Sequence, residues 1–366
     1  MDEKKFLRLI GVAGLALMLA ILPGGGDPAF GNNGPRGATW YANSPDGKLD
    51  LEGISSGPAI QKFVDSLPGL GPASANNLGQ YIPVAMPIAN PLFPDSDYYE
   101  IGIKQYTKQV HTNLPNTTRF RGYIDLNTAA DPVQQYLGPL IVAQRDRPVR
   151  IKFTNLLSTG TAGNLFVPVD PTLNGAGLGP LLGNEYYTQN RTSIHNHGAF
   201  TPWISDGTPH QWFTPTGEGG SYLKGVSFQN VPDMWFDANG NAVTLGTPGA
   251  TNDPGTGKQT LYYTNQQSGR LMFYHDHAVG ITRLNVYAGM AAGYLLHDPV
   301  EDNLIDQGII PNQGAPTFSG GVYKWGIPLI IQDKTFVPQN IGFQDDMWAL
   351  AGGGPYGDLW FPHIYE

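Results

Sequence analysis

An all-β fold, a Greek-key sandwich or barrel, is what the 366-residue sequence predicts, and three observations carry that expectation. Glycine (48 residues) and proline (31) together exceed a fifth of the chain, too many turn formers for a helical bundle and without the period of three that collagen needs. Short runs with the two-residue alternation of half-buried strands recur along the chain. What separates them is Gly/Pro/Asn loop rather than helix, the pattern of sandwiches and barrels. Apolar residues at 40% and aromatics at 11% supply cores and exclude wholesale disorder.

The elements follow in order. Lys4, Lys5 and Arg8 precede an uncharged apolar run at 9–22, which Pro23 and Gly24 close. The run falls short of the roughly 20 apolar residues that a spanning helix needs, and its basic flank is that of a signal peptide. Residues 1–29 are therefore expected to be a signal peptide and the mature protein to be exported (periplasmic, cell-surface or extracellular), with no stable membrane span after cleavage. Residues 30–95, rich in Gly, Pro, Asn and Ser, read as an irregular N-terminal arm with one short helix at 59–67. A domain over 96–302 carries the strands, beginning near Tyr98 and continuing at 138–143, 149–156, 193–199, 259–264, 270–277 and 290–297. In the third of these, Val149, Ile151 and Phe153 fall on one face and Arg150, Lys152 and Thr154 on the other, as in a half-buried strand of an antiparallel sheet. Asn239-Gly240 is a hairpin dipeptide, and the surrounding Asp237 to Asn241 is read as a turn, lacking the distal Glu of a calcium loop. A second strand series opens at Val322. Residues 320–366 are too few for a sandwich of about 100 residues, so they read as the incomplete start of a second domain.

Composition narrows function. Lys plus Arg number 21 against 30 Asp plus Glu, giving a net charge of −9 with no basic run, so no nucleic-acid partner is expected. The absence of cysteine excludes disulfides, thiolate zinc sites, iron–sulfur clusters, a thiol nucleophile and a copper–thiolate centre within this chain.

Of the eight histidines, four form two His-x-His pairs: His195 and His197 in Ile194-His-Asn-His-Gly, and His275 and His277 in Tyr274-His-Asp-His-Ala. Residues i and i+2 of a strand share a face, so each pair can aim two imidazoles at one metal or at two neighbouring ones. Imidazole suits copper, zinc, iron and nickel, and from the residues alone zinc and copper both stay open. His111, His210 and His297 read as ordinary loop or strand-end residues.

The wider segments resolve the choice by resemblance. His195-Asn-His-Gly-Ala-Phe-Thr-Pro-Trp-Ile-Ser-Asp-Gly resembles the first copper-binding motif of multicopper oxidases, and Tyr274-His-Asp-His-Ala-Val-Gly-Ile-Thr-Arg-Leu-Asn-Val-Tyr-Ala-Gly-Met resembles the second. The subgroup most similar is that of bacterial spore-coat laccases and bilirubin oxidases. Tyr136-Leu-Gly-Pro-Leu-Ile and Pro148-Val-Arg-Ile-Lys-Phe-Thr-Asn-Leu look like early strands of that family's first domain, and Ile327-Pro-Leu-Ile-Ile-Gln-Asp like the opening of its second.

The resemblance implies a cupredoxin-like Greek-key β-sandwich at 96–302, with the start of a second cupredoxin domain at 320–366. It implies copper as the cofactor, with dioxygen and an unidentified reducing substrate as partners. His195 becomes a ligand of the type 2 copper. His197, His275 and His277 become ligands of the type 3 coppers, the first two sharing one ion. Asp206, in Ser-Asp-Gly, corresponds to a proton-relaying acid; an ordinary Asp-Gly turn is the competing reading. Each ligand needs an outer partner to fix its tautomer, for which Asp276 and backbone carbonyls are the candidates. The family's two further His-rich motifs, one of which holds the type 1 copper cysteine, are not in this sequence. The expectation is thus an N-terminal part of an oxidase that lacks turnover alone, its C-terminal half missing. A non-catalytic cupredoxin-like metal-binding or scaffold protein and a zinc-dependent β-sandwich hydrolase are the other readings.

Overall fold

Alternating apolar residues need a second alternating surface to bury against, and the chain meets that need with two packed sheets. The computed structural model describes residues 44–50, 52–116, 118–127, 134–180, 185–311, 326–344, 348 and 352–360. Among them lie strands β1 (Asp97–Lys108), β2 (Thr118–Asp125), β3 (Ile141–Gln144), β4 (Val149–Asn155), β5 (Ile194–His197), β6 (Trp235–Phe236), β7 (Ala242–Val243), β8 (Lys258–Tyr263), β9 (Arg270–Asp276) and β10 (Ala291–His297). Helices are short: α1 (Thr282–Tyr287), α2 (Pro299–Asp306) and α3 (Ile341–Gln344).

One sheet has the order β2-β1-β4-β8 and the other β3-β10-β9-β5, so chain neighbours are repeatedly separated by crossovers. This is the cupredoxin-like Greek-key sandwich that the resemblance implies. The core between the sheets takes Tyr99, Ile101 and Ile103 from β1, Val149, Ile151 and Phe153 from β4, and Leu261 and Tyr263 from β8. From the facing sheet it takes Ile141, Ile194, Met272, Tyr274, Ala292 and Tyr294. All stand two residues apart within their strands, as the pleat requires. β4 lies antiparallel to β8, as its alternation suggests, but parallel to β1, and β3 is parallel to β10. The sandwich is therefore mixed rather than wholly antiparallel. β6 and β7 pair around Asp237 to Asn241, so the predicted hairpin is present.

Two expectations need correction, and one strand carries no signal in the sequence. Residues 59–67 form turns and bends, not a helix. Phe63 adopts a left-handed φ of 63° and is fully exposed, and the Asp65 carboxylate is drawn away to the backbone N–H and hydroxyl of Thr112. β2 gave no strand signal because Arg119 and Arg121 interrupt its apolar pattern. Arg121 is nevertheless fully buried, its guanidinium donating to the carbonyls of Gln189 and Gly163 at 2.8 and 2.7 Å. Residues 326–335, within the expected second strand series, run without a ladder; the following Phe336 makes one bridge, to Leu359.

The arm is largely irregular, as expected, and Val84 bridges Leu140, laying it along the β3 edge. The C-terminal described segment docks on β2 and α1: Asp358 accepts from the Arg119 backbone and guanidinium at 3.0 and 2.7 Å, and Tyr287 donates its hydroxyl to the Trp360 carbonyl at 2.8 Å. Among the described residues no helix is long and apolar enough to cross a membrane. The expected signal peptide, residues 30–43 of the arm, His363 and Val322 lie outside the described residues.

Candidate metal centre

The two His-x-His pairs converge because their strands are neighbours. β5 pairs antiparallel with β9, and the register sets His195 directly opposite His275. Ile194 and Asn196 of β5, and Met272 and Tyr274 of β9, occupy the inner face, so the intervening His195, His197, Phe273 and His275 point outward on the same side of the sheet. Ligand atoms of His195, His197 and His275 all lie within 4.8 Å of one another. His277 follows the end of β9 and is held by its N–H, which donates to the Ser193 carbonyl at 2.7 Å. Its ring centre lies 5.2 Å from that of His195 and 5.7 Å from that of His275. Phe273 stacks on both His197 and His275, at 4.8 and 5.3 Å between centroids.

β5 is shorter than its sequence pattern because Gly198, at φ 90°, turns the chain out of the sheet. The loop that follows returns at Gly207, whose φ of 68° and close seat against β5 both require glycine: an added Cβ would stand 1.8 Å from the Ile194 carbonyl oxygen. That approach places Asp206 over His195.

Backbone carbonyls fix two of the rings. His195 donates from Nδ1 to the Asp206 carbonyl at 2.6 Å, and His275 donates from Nδ1 to the Asp276 carbonyl at 2.7 Å. A carbonyl only accepts, so both rings carry their proton on Nδ1 and present a bare Nε2. The His275 Nε2 lies 3.3 Å from the His197 Nδ1. Burial first, then the like charge of His195, His277 and His197, pushes His275 down to about 4 against the pull of the Asp276 carbonyl. His277 is lowered by burial and then by His195. His275 is thus uncharged at neutral pH, the form in which imidazole binds a metal. The Nδ1 of His277 is buried with no partner among the described residues. A bare Nε2 on His195 and His275, an orphaned ring nitrogen on His277 and three ligand atoms within reach of one ion form a donor set that fits copper.

Asp206 closes the short 3-10 turn Trp203–Ser205. Its carboxylate Oδ1 stands 3.5 Å from His195 Nδ1 and accepts the Thr201 hydroxyl at 3.1 Å, with the side chain 37% exposed. It is both a turn residue and a carboxylate beside the histidines. Of the two outer partners expected, the Asp276 carbonyl, not its side chain, meets His275. The Asp276 carboxylate is fully buried on the inner face, where burial raises it to about 6. Its hydrogen-bond partners Thr192 and Asn285 gave no local signal in the sequence.

The remaining described histidines lie apart. His111 bonds the Gln61 carbonyl at 2.9 Å, His210 sits exposed in the loop after Gly207, and His297 ends β10 as expected.

No family model matches the chain. Among curated proteins, the laccase of Bacillus subtilis (strain 168) is 30% identical over 257 residues, covering 69% of this chain and 37% of that protein. The laccase of Bacillus stratosphericus is 30% identical over 280 residues, covering 76% of this chain and 38% of that protein. Multicopper oxidase LPR1 of Arabidopsis thaliana is 28% identical over 238 residues, 65% of this chain and 30% of that protein. The chain thus spans less than two fifths of the length of these relatives. Among solved structures, the laccase from Pediococcus acidilactici Pa5930 aligns with 67% of this chain and 36% of its own, at a TM-score of 0.36 and 16% identity.

Proposed function

The chain belongs to the multicopper oxidase family, and we propose that it is the copper-binding N-terminal part of a laccase-like oxidase that couples oxidation of a substrate to reduction of dioxygen to water. The observation that carries this reading is the convergence of His195, His197 and His275 from two paired strands, with His277 beside them. Copper, when bound, supplies reversible one-electron chemistry, and imidazole ligands keep both of its oxidation states accessible.

His195 is assigned to the type 2 ion, and His197, His275 and His277 to the type 3 pair. The 3.3 Å approach of His197 Nδ1 to His275 Nε2 supports their sharing one ion. The carbonyls of Asp206 and Asp276 hold the Nδ1 protons and so keep the Nε2 lone pairs available. Asp206 is the candidate proton relay: partly exposed and 3.5 Å from the His195 ring, its carboxylate can take a proton from solvent and hold it beside the site.

With no cysteine in these 366 residues, the thiolate of the family's type 1 copper is not in this chain. We therefore propose that the isolated chain binds copper without oxidase turnover, and that further polypeptide supplies the remaining ligands and the substrate site. Export from the cytoplasm is part of the same proposal, supported by the basic residues before the apolar run at 9–22.

The test is metal analysis of the purified full chain after loading with Cu(II) and desalting, beside a phenol-oxidation assay. Retained copper that is lost in a His195→Ala/His275→Ala double variant, with no phenol oxidation, is the expected result. Retained copper with turnover overturns the division of labour between this chain and further polypeptide. No retained copper overturns the metal centre and favours a scaffold role.

A further inference from the structure

The structure assigns to the buried Asp276 carboxylate the role of a positioning residue, a two-sided clamp that sets the spacing of the four histidines. This rests on the copper-binding reading above and adds to it a determinant that touches no metal.

Each carboxylate oxygen serves a different side of the site. Oδ1 accepts from the Thr192 hydroxyl at 2.9 Å and from the Ser193 N–H at 3.0 Å, the two residues that lead into β5 and its histidine pair. Oδ2 accepts from the Ala278 N–H at 3.1 Å, directly after His277, and from the Asn285 side-chain amide of α1 at 3.0 Å. The backbone of the same residue completes the arrangement: its carbonyl holds His275 Nδ1, and its N–H donates to Met290 on the far side of β9. One residue therefore ties together the approach to His195 and His197, the ring of His275 and the turn that carries His277.

Against the cost of burial, the hydrogen-bonding partners match a carboxylate better than an amide. All four partners donate, and Asp276, Thr192, Ser193 and Asn285 are each fully buried. Two buried guanidiniums face the same region: Arg121 approaches Asn285 Oδ1 at 3.5 Å, and both Arg121 and Arg191 feel the Asp276 charge. An amide in place of the carboxylate can satisfy one pair of donors through its oxygen, but its NH2 then faces the other pair. Either the β5 side or the His277 side is released, while the shape of the core is kept.

The test uses the full chain with Cu(II) as the probe. Competition titration gives the affinity, electron paramagnetic resonance reports the ligand field, and thermal unfolding of the metal-free protein reports the fold. Asp276→Asn is expected to weaken Cu(II) binding by about 10- to 100-fold, the usual effect of losing an outer-sphere partner, and to alter the copper hyperfine splitting. Thr192→Val removes one donor from Oδ1 at nearly constant volume, and is expected to shift the same spectrum with a smaller loss of affinity. Thr264→Val, which removes an exposed hydroxyl bonded to the Phe200 carbonyl, controls for loss of a threonine hydroxyl. If Asp276→Asn does not fold, Thr192→Val decides. Wild-type spectra and affinities in the folded variants overturn the clamp while leaving the copper site standing. Failure of the wild-type chain itself to bind Cu(II) overturns the copper site, and the clamp with it.

Discussion

Asp206 and Gly207 act on the centre through backbone geometry, and Gly207 is the more exposed to mutation. Replacing Gly207 with alanine forces a left-handed φ on a residue with a Cβ, at about 1–3 kcal/mol, before the clash with the Ile194 carbonyl is counted. Gly207→Ala is therefore expected to lower the urea midpoint and weaken Cu(II) binding together, since the displaced strand carries His195. Asp206→Asn, by contrast, leaves the carbonyl on His195 in place. Cu(II) affinity is expected to stay near wild type in that variant; a large loss, measured by competition titration, would show that the carboxylate acts as a ligand rather than a relay. At this scale the sequence was informative about the ligands and silent about their supports. Two His-x-His pairs are visible as spacing, whereas the carbonyls that fix the rings belong to every residue and leave no mark on composition. Two of the four partners of Asp276, Thr192 and Ser193, lie 84 and 83 residues away, beyond the reach of local pattern.

Among elements, β4 and β9 were legible because their alternation matches a pleat with one face in the core. β2 was not: its buried arginine is satisfied by carbonyls from distant loops, so tertiary contacts override the hydrophobic pattern. The expected helix at 59–67 failed for the converse reason, because the Gln61 carbonyl and the Asp65 carboxylate meet His111 and Thr112 rather than partners within a helix. One buried carboxylate, that of Asp358, is among the ties that hold the segment ending at Trp360. Asp358→Ala strips the partner from the Arg119 guanidinium and backbone N–H, at about 1–3 kcal/mol for lost hydrogen bonds to a charged group. The expected readout is faster amide exchange at Val337 and Trp360, with exchange in β4 unchanged.

For the whole molecule, the sandwich is a platform that brings together segments some 80 residues apart in sequence. Its core is shared by both sheets, so a defect on one should loosen the other. Ile151→Ala, at the fully buried centre of β4, is expected to cost about 2–5 kcal/mol in urea unfolding monitored by both tryptophan fluorescence and circular dichroism. Coincident transitions would show the two sheets unfolding together, and separated transitions would contradict a single shared core. This platform gathers histidines from both motifs at one site. Crystals of the full chain soaked in Cu(II), with diffraction recorded on both sides of the copper absorption edge, show whether copper binds there. The expected result is anomalous density bonded to imidazole nitrogens of His195, His197 and His275. Copper density elsewhere, with none among these rings, would contradict it.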